Sequence, residues 1–186
     1  VGERHAGVQA GIAARLQVPA GALEGDGGRH PDGVEPGGPA PGAQWTAGLC
    51  LFGHDIGELS TPVEADVAWA IQKVRRPGGA RAGGYPGATV VERHLGGSAP
   101  SKRVGLVALE RVPVREGAPL LDNRGHKIGR VTSGTISPSL DKPIAMGYLL
   151  SQHAHAQGEL WAEVRNKRVP VRITPMPFVP HRYHRG

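Results

Sequence analysis

The 186-residue chain is short of several things, and each shortage excludes a class of protein. It has one cysteine, Cys50, which rules out an internal disulfide and any paired-cysteine redox or zinc motif, and which suits a reducing compartment. With apolar Leu49 and Leu51 on either side, Cys50 reads as a buried structural thiol. Aromatic residues make up only 4% of the chain, too few for the stacking platform on which single-stranded nucleic acid is usually held. No apolar run approaches the ~20 residues that span a bilayer, and the opening Val1-Gly2-Glu3-Arg4-His5 has neither the charged nor the apolar region of a signal peptide. These absences lead us to expect a cytoplasmic protein with no membrane partner. A serine nucleophile elbow is missing as well.

Positive charge is plentiful but uneven. The formal net charge is +6 and the sequence pI near 10.0, a balance that favours anionic partners. From Val1 to Gln44, however, three basic residues face five acidic ones, so this part carries -2 and the remainder +8. The same stretch holds 11 Gly and 5 Pro in 44 residues, or 36%, against the ~12% of average usage. Only Gly11 to Val18 has a trace of helical spacing, with Ile12 and Leu16 four apart. The rest has too little apolar surface to repay its ordering entropy.

From Ala47 onward the pattern becomes that of a folded protein. Ala47 to Phe52 is an apolar run suited to a buried strand, followed by a loop from Gly53 to Glu58. His54 and Asp55 have the composition of an acid/base pair, but neighbours on an extended chain point to opposite sides. Thr61-Pro62-Val63-Glu64 is a helix start: Thr61 caps, Pro62 suits the first helical position, and Glu64 completes a capping box. Val63, Val67, Ala70 and Ile71 then recur at helical spacing and predict a core-facing stripe. Arg75 to Gly84 is a Gly- and Arg-rich link where a domain boundary is expected.

Beyond the link, short strands and tight turns repeat. Arg103 to Leu109 and Ala118 to Leu121 are apolar runs, and Asp122-Asn123-Arg124-Gly125 supplies turn chemistry. Ile128 to Val131 and Ile144 to Leu149 flank a centre of Ser, Thr, Gly and Pro that reads as an ordered loop whose hydroxyls bond neighbouring amides. Leu160, Ala162 and Val164 alternate on one face, as do Val169, Val171 and Ile173, and Asn166-Lys167 between them is expected to form a two-residue hairpin loop. Pro170 cannot donate to a ladder, which predicts an edge strand. About six short strands at this spacing predict a small antiparallel barrel or sandwich.

Two candidate sites in this region are weak. Gly96-Gly97-Ser98-Ala99-Pro100-Ser101-Lys102 lacks the second glycine before the lysine of a phosphate loop, and no helix is evident after it. His153 and His155 share a face if extended, but no third ligand accompanies them, so no metal is expected.

Longer motifs carry a resemblance. Gly129-Arg130-Val131-Thr132-Ser133-Gly134-Thr135-Ile136-Ser137-Pro138-Ser139-Leu140, then Ile144-Ala145-Met146-Gly147-Tyr148, closely resembles the C-terminal barrel of the glycine cleavage T-protein family, the tetrahydrofolate-dependent aminomethyltransferases. The likeness extends from about Ala47 to Tyr183 and includes Gly48-Leu49-Cys50-Leu51-Phe52-Gly53-His54-Asp55-Ile56 and Met176-Pro177-Phe178-Val179-Pro180. It implies a mainly β protein: a small antiparallel jelly-roll-like C-terminal barrel over 103–186, a 77–102 linker, and a short α/β remnant of the folate-binding core over 47–76. Ahead of these lies a Gly/Pro-rich tail, 1–46, expected to be disordered or unrelated.

By resemblance, tetrahydrofolate is a substrate and the lipoylated H-protein a partner, with transfer of the methylene of a lipoyl-bound aminomethyl group and release of ammonia. Tyr183, between Arg182 and Arg185, matches the family tyrosine that lines the folate channel. A phenol there stacks on or hydrogen-bonds a folate, and the arginines attract its glutamate carboxylates. The family's catalytic acid belongs to a part this sequence does not match, so no catalytic residue is assigned and the chain alone is expected to be inactive. Other readings are the folate-binding portion of a dimethylglycine or sarcosine dehydrogenase, or a non-catalytic basic barrel that binds a protein or nucleic acid, the latter disfavoured by the scarcity of aromatics. The likeness stops abruptly at Ala47, and Gly, Ala, Pro and Arg are what GC-rich codons give in any frame. This predicts truncated or frame-shifted coding sequence upstream, an idea that fails if no alternative frame there encodes the family's Arg-containing segment.

Overall fold

The structure, a computed structural model, describes residues 46–155 and 158–180. Six antiparallel strands close into a barrel: β1 Ser101–Ala108, β2 Pro119–Leu121, β3 Lys127–Ser137, β4 Lys142–Leu150, β5 Leu160–Val164 and β6 Lys167–Thr174, in the spatial order β1-β4-β3-β2-β5-β6. Closure is made where Gly105 to Ala108 pair with Thr174 to Val171. The interior is filled by the alternating apolar positions of each strand, among them Val104, Leu106, Leu120, Ile128, Val131, Ala145, Leu149, Leu160, Ala162, Val169 and Val171. Burial of these side chains, at about 25 cal/mol per Å² of apolar surface, is the principal force holding the ring shut.

The alternation expected in the last two strands is present. Leu160 faces Val171 and Ala162 faces Val169 across the ladder, while Val164 and Ile173 pack at the margin of the core. Their hairpin is shifted by one residue from Asn166-Lys167. Val164 pairs with Lys167, and the two loop residues are Arg165 and Asn166, at φ 51° and 61°. Both left-handed positions match the twist of the flanking strands, as a type I′ turn requires. Pro170 is not on an edge either, because the closed ring has none. It stands opposite Trp161, and its carbonyl accepts from Leu109 N (2.9 Å) just past the end of β1.

The Ser/Thr-rich centre is strand rather than loop. β3 runs unbroken to Ser137, and only Pro138 to Asp141 turn the chain, with Ser137 Oγ accepting from Leu140 N (3.3 Å). Pairing with β4 satisfies the backbone in place of the hydroxyls, and β-branched Val131, Thr132, Thr135 and Ile136 favour the pleat. The glycines fit close approaches of neighbouring chain: a Cβ on Gly134 would lie 1.9 Å from Val114 O, and one on Gly129 2.1 Å from Tyr148 O.

A second layer covers the outer face of β1, β4 and β3. It consists of residues 46–66 and 175–179. Gly105 approaches Met176 and Phe178 so closely that a Cβ there would meet Met176 Cγ at 2.7 Å. Thr46 Oγ1 lies 3.1 Å from Ser137 Oγ, and Thr46 O accepts from Val179 N (3.3 Å). Ala47 to Phe52 is not the buried strand its composition predicts: Leu49, Leu51 and Phe52 are exposed, Phe52 at 72%, and Cys50 is only partly buried.

The helix expected at Thr61 begins and stops within one turn. Its capping box forms, with Thr61 N donating to Glu64 Oε2 (3.1 Å) and Glu64 N to Thr61 Oγ1 (3.2 Å). Asp66 then turns left-handed at φ 57°, Val67 N donates back to Pro62 O (2.9 Å) and Asp66 N to Val63 O (3.2 Å), the paired bonds of a Schellman stop. Two one-turn 3-10 segments, Ala68–Ala70 and Lys73–Arg75, come after the stop. With no helix there is no stripe: Val63, Val67 and Ile71 are partly buried and Ala70 exposed, whereas Glu64 and Ala65 are buried. The linker region contains the one α-helix among the described residues, α1 Ala88–Arg93, continued by a wider turn through His94–Ser98.

Candidate functional site

Between the covering layer and the barrel lie three buried charged groups: Asp55 and Glu64, which the sequence marks only as a loop acid beside His54 and as a capping-box acid, and Arg103, which it marks only as the start of an apolar run. Asp55, 1% exposed, is delivered by the tight turn Gly53-His54-Asp55. Its Oδ2 accepts from Leu51 N (3.0 Å), and its Oδ1 accepts from the hydroxyls of Thr132 (2.6 Å) and Ser133 (2.8 Å). Two consecutive residues of a strand reach one carboxylate because β3 carries a bulge there: Val131 faces Gly147 and Ser133 faces Met146, leaving Thr132 as the extra residue. The Tyr148 hydroxyl donates to Asp55 O (2.7 Å). Burial pushes that phenol up to about 12, nearby Glu64 and Asp55 add to the shift, and Ser60 and Arg103 oppose it.

Glu64 is the second group. Oε2 accepts from Thr61 N and from the Thr61 hydroxyl (3.0 Å), and Oε1 accepts from Ser101 Oγ (3.0 Å). Because the single Thr61 hydroxyl proton goes to Glu64, the buried His94 ring, whose Nδ1 lies 2.9 Å from Thr61 Oγ1, is the donor in that contact. Asp55 thus ties the cover to β3, and Glu64 ties the Thr61 turn of the cover to Ser101 of β1.

Arg103 is the third. It is 4% exposed and fastens β1 to the cover, with Nε donating to Ala65 O (2.7 Å) and Nη1 reaching Gly48 O (3.3 Å) and Met146 Sδ (3.1 Å). Its backbone N also donates to Glu64 O (2.7 Å).

The structure separates the pairs singled out in the sequence. His54 is exposed with Nδ1 3.0 Å from Glu116 Oε2, while its neighbour Asp55 is buried. They diverge because the chain turns there, not because it is extended. His153 and His155 line different clefts: His153 stands with Asp122, Arg124 and Glu159 in one of about 560 Å³, and His155 with Lys102, Arg103 and Arg172 in one of about 390 Å³. Among the described residues no group of three or more His, Cys, Asp or Glu side chains is placed to hold a metal, and no helix is long and apolar enough to cross a membrane. Gly96 to Ser98 end a wide helical turn, and Ser101 and Lys102 already belong to β1. Asp122 is a turn residue. Burial pushes its pKa up, but hydrogen bonds from His126 N–H, the His126 ring and Arg124 N–H outweigh this and hold it below the usual value. Tyr183, with Arg182 and Arg185, lies outside the described residues.

A closed antiparallel barrel covered on one face by residues 46–66 and 175–179 has counterparts among known proteins. Residues 102–180 match the family described as the glycine cleavage T-protein C-terminal barrel domain, and this part of the chain is a T-protein C-terminal barrel. Its curated relatives are aminomethyltransferases: the mitochondrial enzyme of Homo sapiens is 44% identical over 138 residues, covering 74% of this chain and 33% of that protein. The mitochondrial enzyme of Dictyostelium discoideum is 40% identical over 139 residues, again 74% of this chain and 33% of the relative. Among solved structures, the glycine cleavage system aminomethyltransferase T from Bartonella henselae superposes with a TM-score of 0.68 at 39% identity, over 75% of this chain and 38% of that one. The chain spans about a third of the length of the relatives it matches.

Proposed function

We propose that this chain supplies the C-terminal part of a glycine cleavage aminomethyltransferase, acting on tetrahydrofolate and on the aminomethyl group carried by a lipoylated H-protein. The observation that carries the reading is the 44% identity to a named aminomethyltransferase across 138 residues that include both barrel and cover. The proposed division is into a folate-core remnant at 47–76, a linker at 77–102 and a barrel at 103–186, and it draws support from the start of β1 at Ser101. In this reading Tyr183 lines the folate channel and the chain's own part is binding and orientation. Holding two reactants in place contributes several kcal/mol to such a transfer, but the proton-transfer acid is assigned to the portion that the longer relatives have and this chain does not match. A cytoplasmic location remains part of the proposal, supported by the lone Cys50, and cell fractionation tests it.

Calorimetric titration of the purified chain with tetrahydrofolate, beside a Tyr183→Phe variant, is the deciding experiment. Micromolar binding that the variant weakens about tenfold, the worth of one good hydrogen bond, supports a usable folate channel with Tyr183 in it. A folded chain that binds no tetrahydrofolate removes folate binding from the functions of this part.

A further inference from the structure

We propose that the cleft of about 390 Å³ between β1 and the end of β6 binds a small anion bearing a carboxylate or phosphate group, with Arg103 at its base and Lys102 and Arg172 at its rim. The argument starts from Arg103. Taking a guanidinium out of water costs several kcal/mol unless an opposite charge accompanies it, yet the acceptors it meets are two carbonyls and a thioether. Among the described residues no carboxylate lies within salt-bridge distance of it. The carboxylates of the cover are committed elsewhere, Asp55 to Thr132, Ser133 and Leu51, Glu64 to Thr61 and Ser101, and Asp66 to Lys102.

Of the five N–H groups of Arg103, the two on Nη2 have no acceptor among the described residues, and Arg103 is one of the residues lining the cleft. An arginine held rigidly by its other donors, with one edge of its fork unmatched, is preorganised for an oxyanion. The rest of the lining has the same sign. Lys102 and Arg172 contribute two more cations, against a single acid, Asp66, whose Oδ1 is 3.7 Å from Lys102 Nζ. An excess of positive charge in a concave, partly apolar recess focuses the field on whatever anion enters, and the volume is within the range of small-ligand sites.

The test uses the full chain, isotopically labelled, and follows amide shifts at constant ionic strength while inorganic phosphate or glutarate is added. Saturable shifts at Lys102, Arg103, Arg172 and Thr174 are expected with at least one of them. Lys102→Ala and Arg172→Ala, both at partly or fully exposed positions, should each weaken binding about tenfold without unfolding the protein. Tighter phosphate binding assigns a phosphoryl ligand, and tighter glutarate binding assigns a carboxylate tail. Shifts that merely follow ionic strength, as sodium chloride produces them, or binding unchanged in the Lys102→Ala/Arg172→Ala double variant, overturn the site. Neither result depends on Tyr183 or tetrahydrofolate, so the folate reading stands or falls separately.

Discussion

At the scale of single residues, the described part of the molecule is fastened by a few polar side chains that each bond several partners. Asp55 alone satisfies one backbone amide of the cover and two hydroxyls of β3. Replacing it by alanine leaves Leu51 N and the Ser133 hydroxyl without acceptors and the Thr132 hydroxyl with only Met146 O (3.2 Å), and should cost about 3 kcal/mol. Asp55→Asn keeps one oxygen acceptor and should lose about half as much. Urea midpoints of the two variants check this, and a shift below that of an ordinary surface substitution for Asp55→Ala would show that the cover is not tied to the barrel through this carboxylate. In the sequence Asp55 is legible only as a loop acid beside a histidine. Its partners are 77 and 78 residues away, a separation that no local pattern reports.

At the scale of elements, the barrel depends on chains approaching more closely than side chains allow. Gly134 is the sharpest case, since any Cβ there falls 1.9 Å from Val114 O, an atom of the main chain that cannot swing aside. Gly134→Ala should destabilise by about 3 kcal/mol, the upper part of the range for overpacking, whereas Gly158→Ala, with nothing within 4 Å of the added carbon, should stay within ~0.5 kcal/mol of the parent. Thermal midpoints measured side by side decide the matter, and equal midpoints would mean that β3 and the 114 segment are not in contact. The same scale shows why the short helical turn at Thr61 promises more helix than it delivers. Its start signals are local and true, but its stop lies in Asp66 adopting φ 57° without the glycine or proline that usually marks such a place.

On the scale of the whole molecule, burial is lopsided. The barrel interior is closed and apolar, while the cover and the segment after it present Leu49, Leu51, Phe52, Leu59 and Trp69 outward, in a chain that spans a third of its relatives' length. Exposed apolar groups contribute little to the stability of this chain by itself. Phe52→Ser with Leu59→Ser is therefore expected to leave the denaturation midpoint within about 0.5 kcal/mol of the parent while reducing binding of a hydrophobic dye. A large loss of stability would instead place both side chains in a core.

The sequence by itself determined the strands and their inward faces, because alternation with period two survives in Leu160 to Val164 and Val169 to Ile173 whatever the neighbours are, and it determined the family, because the run from Gly129 to Tyr148 is long. It also located the turns at Asp122 to Gly125 and near Asn166, whose residue types have intrinsic backbone preferences. Only the tertiary structure decided that the hydroxyl-rich centre is strand, that Pro170 needs no edge, that Ala47 to Phe52 lies over the barrel with its apolar side chains outward, and that Asp55, Glu64 and Arg103 are buried. Each of these turns on a partner far away in the chain. A ladder, a closed ring or an unmatched guanidinium is a relation between segments, and the energy that fixes it appears only when those segments meet.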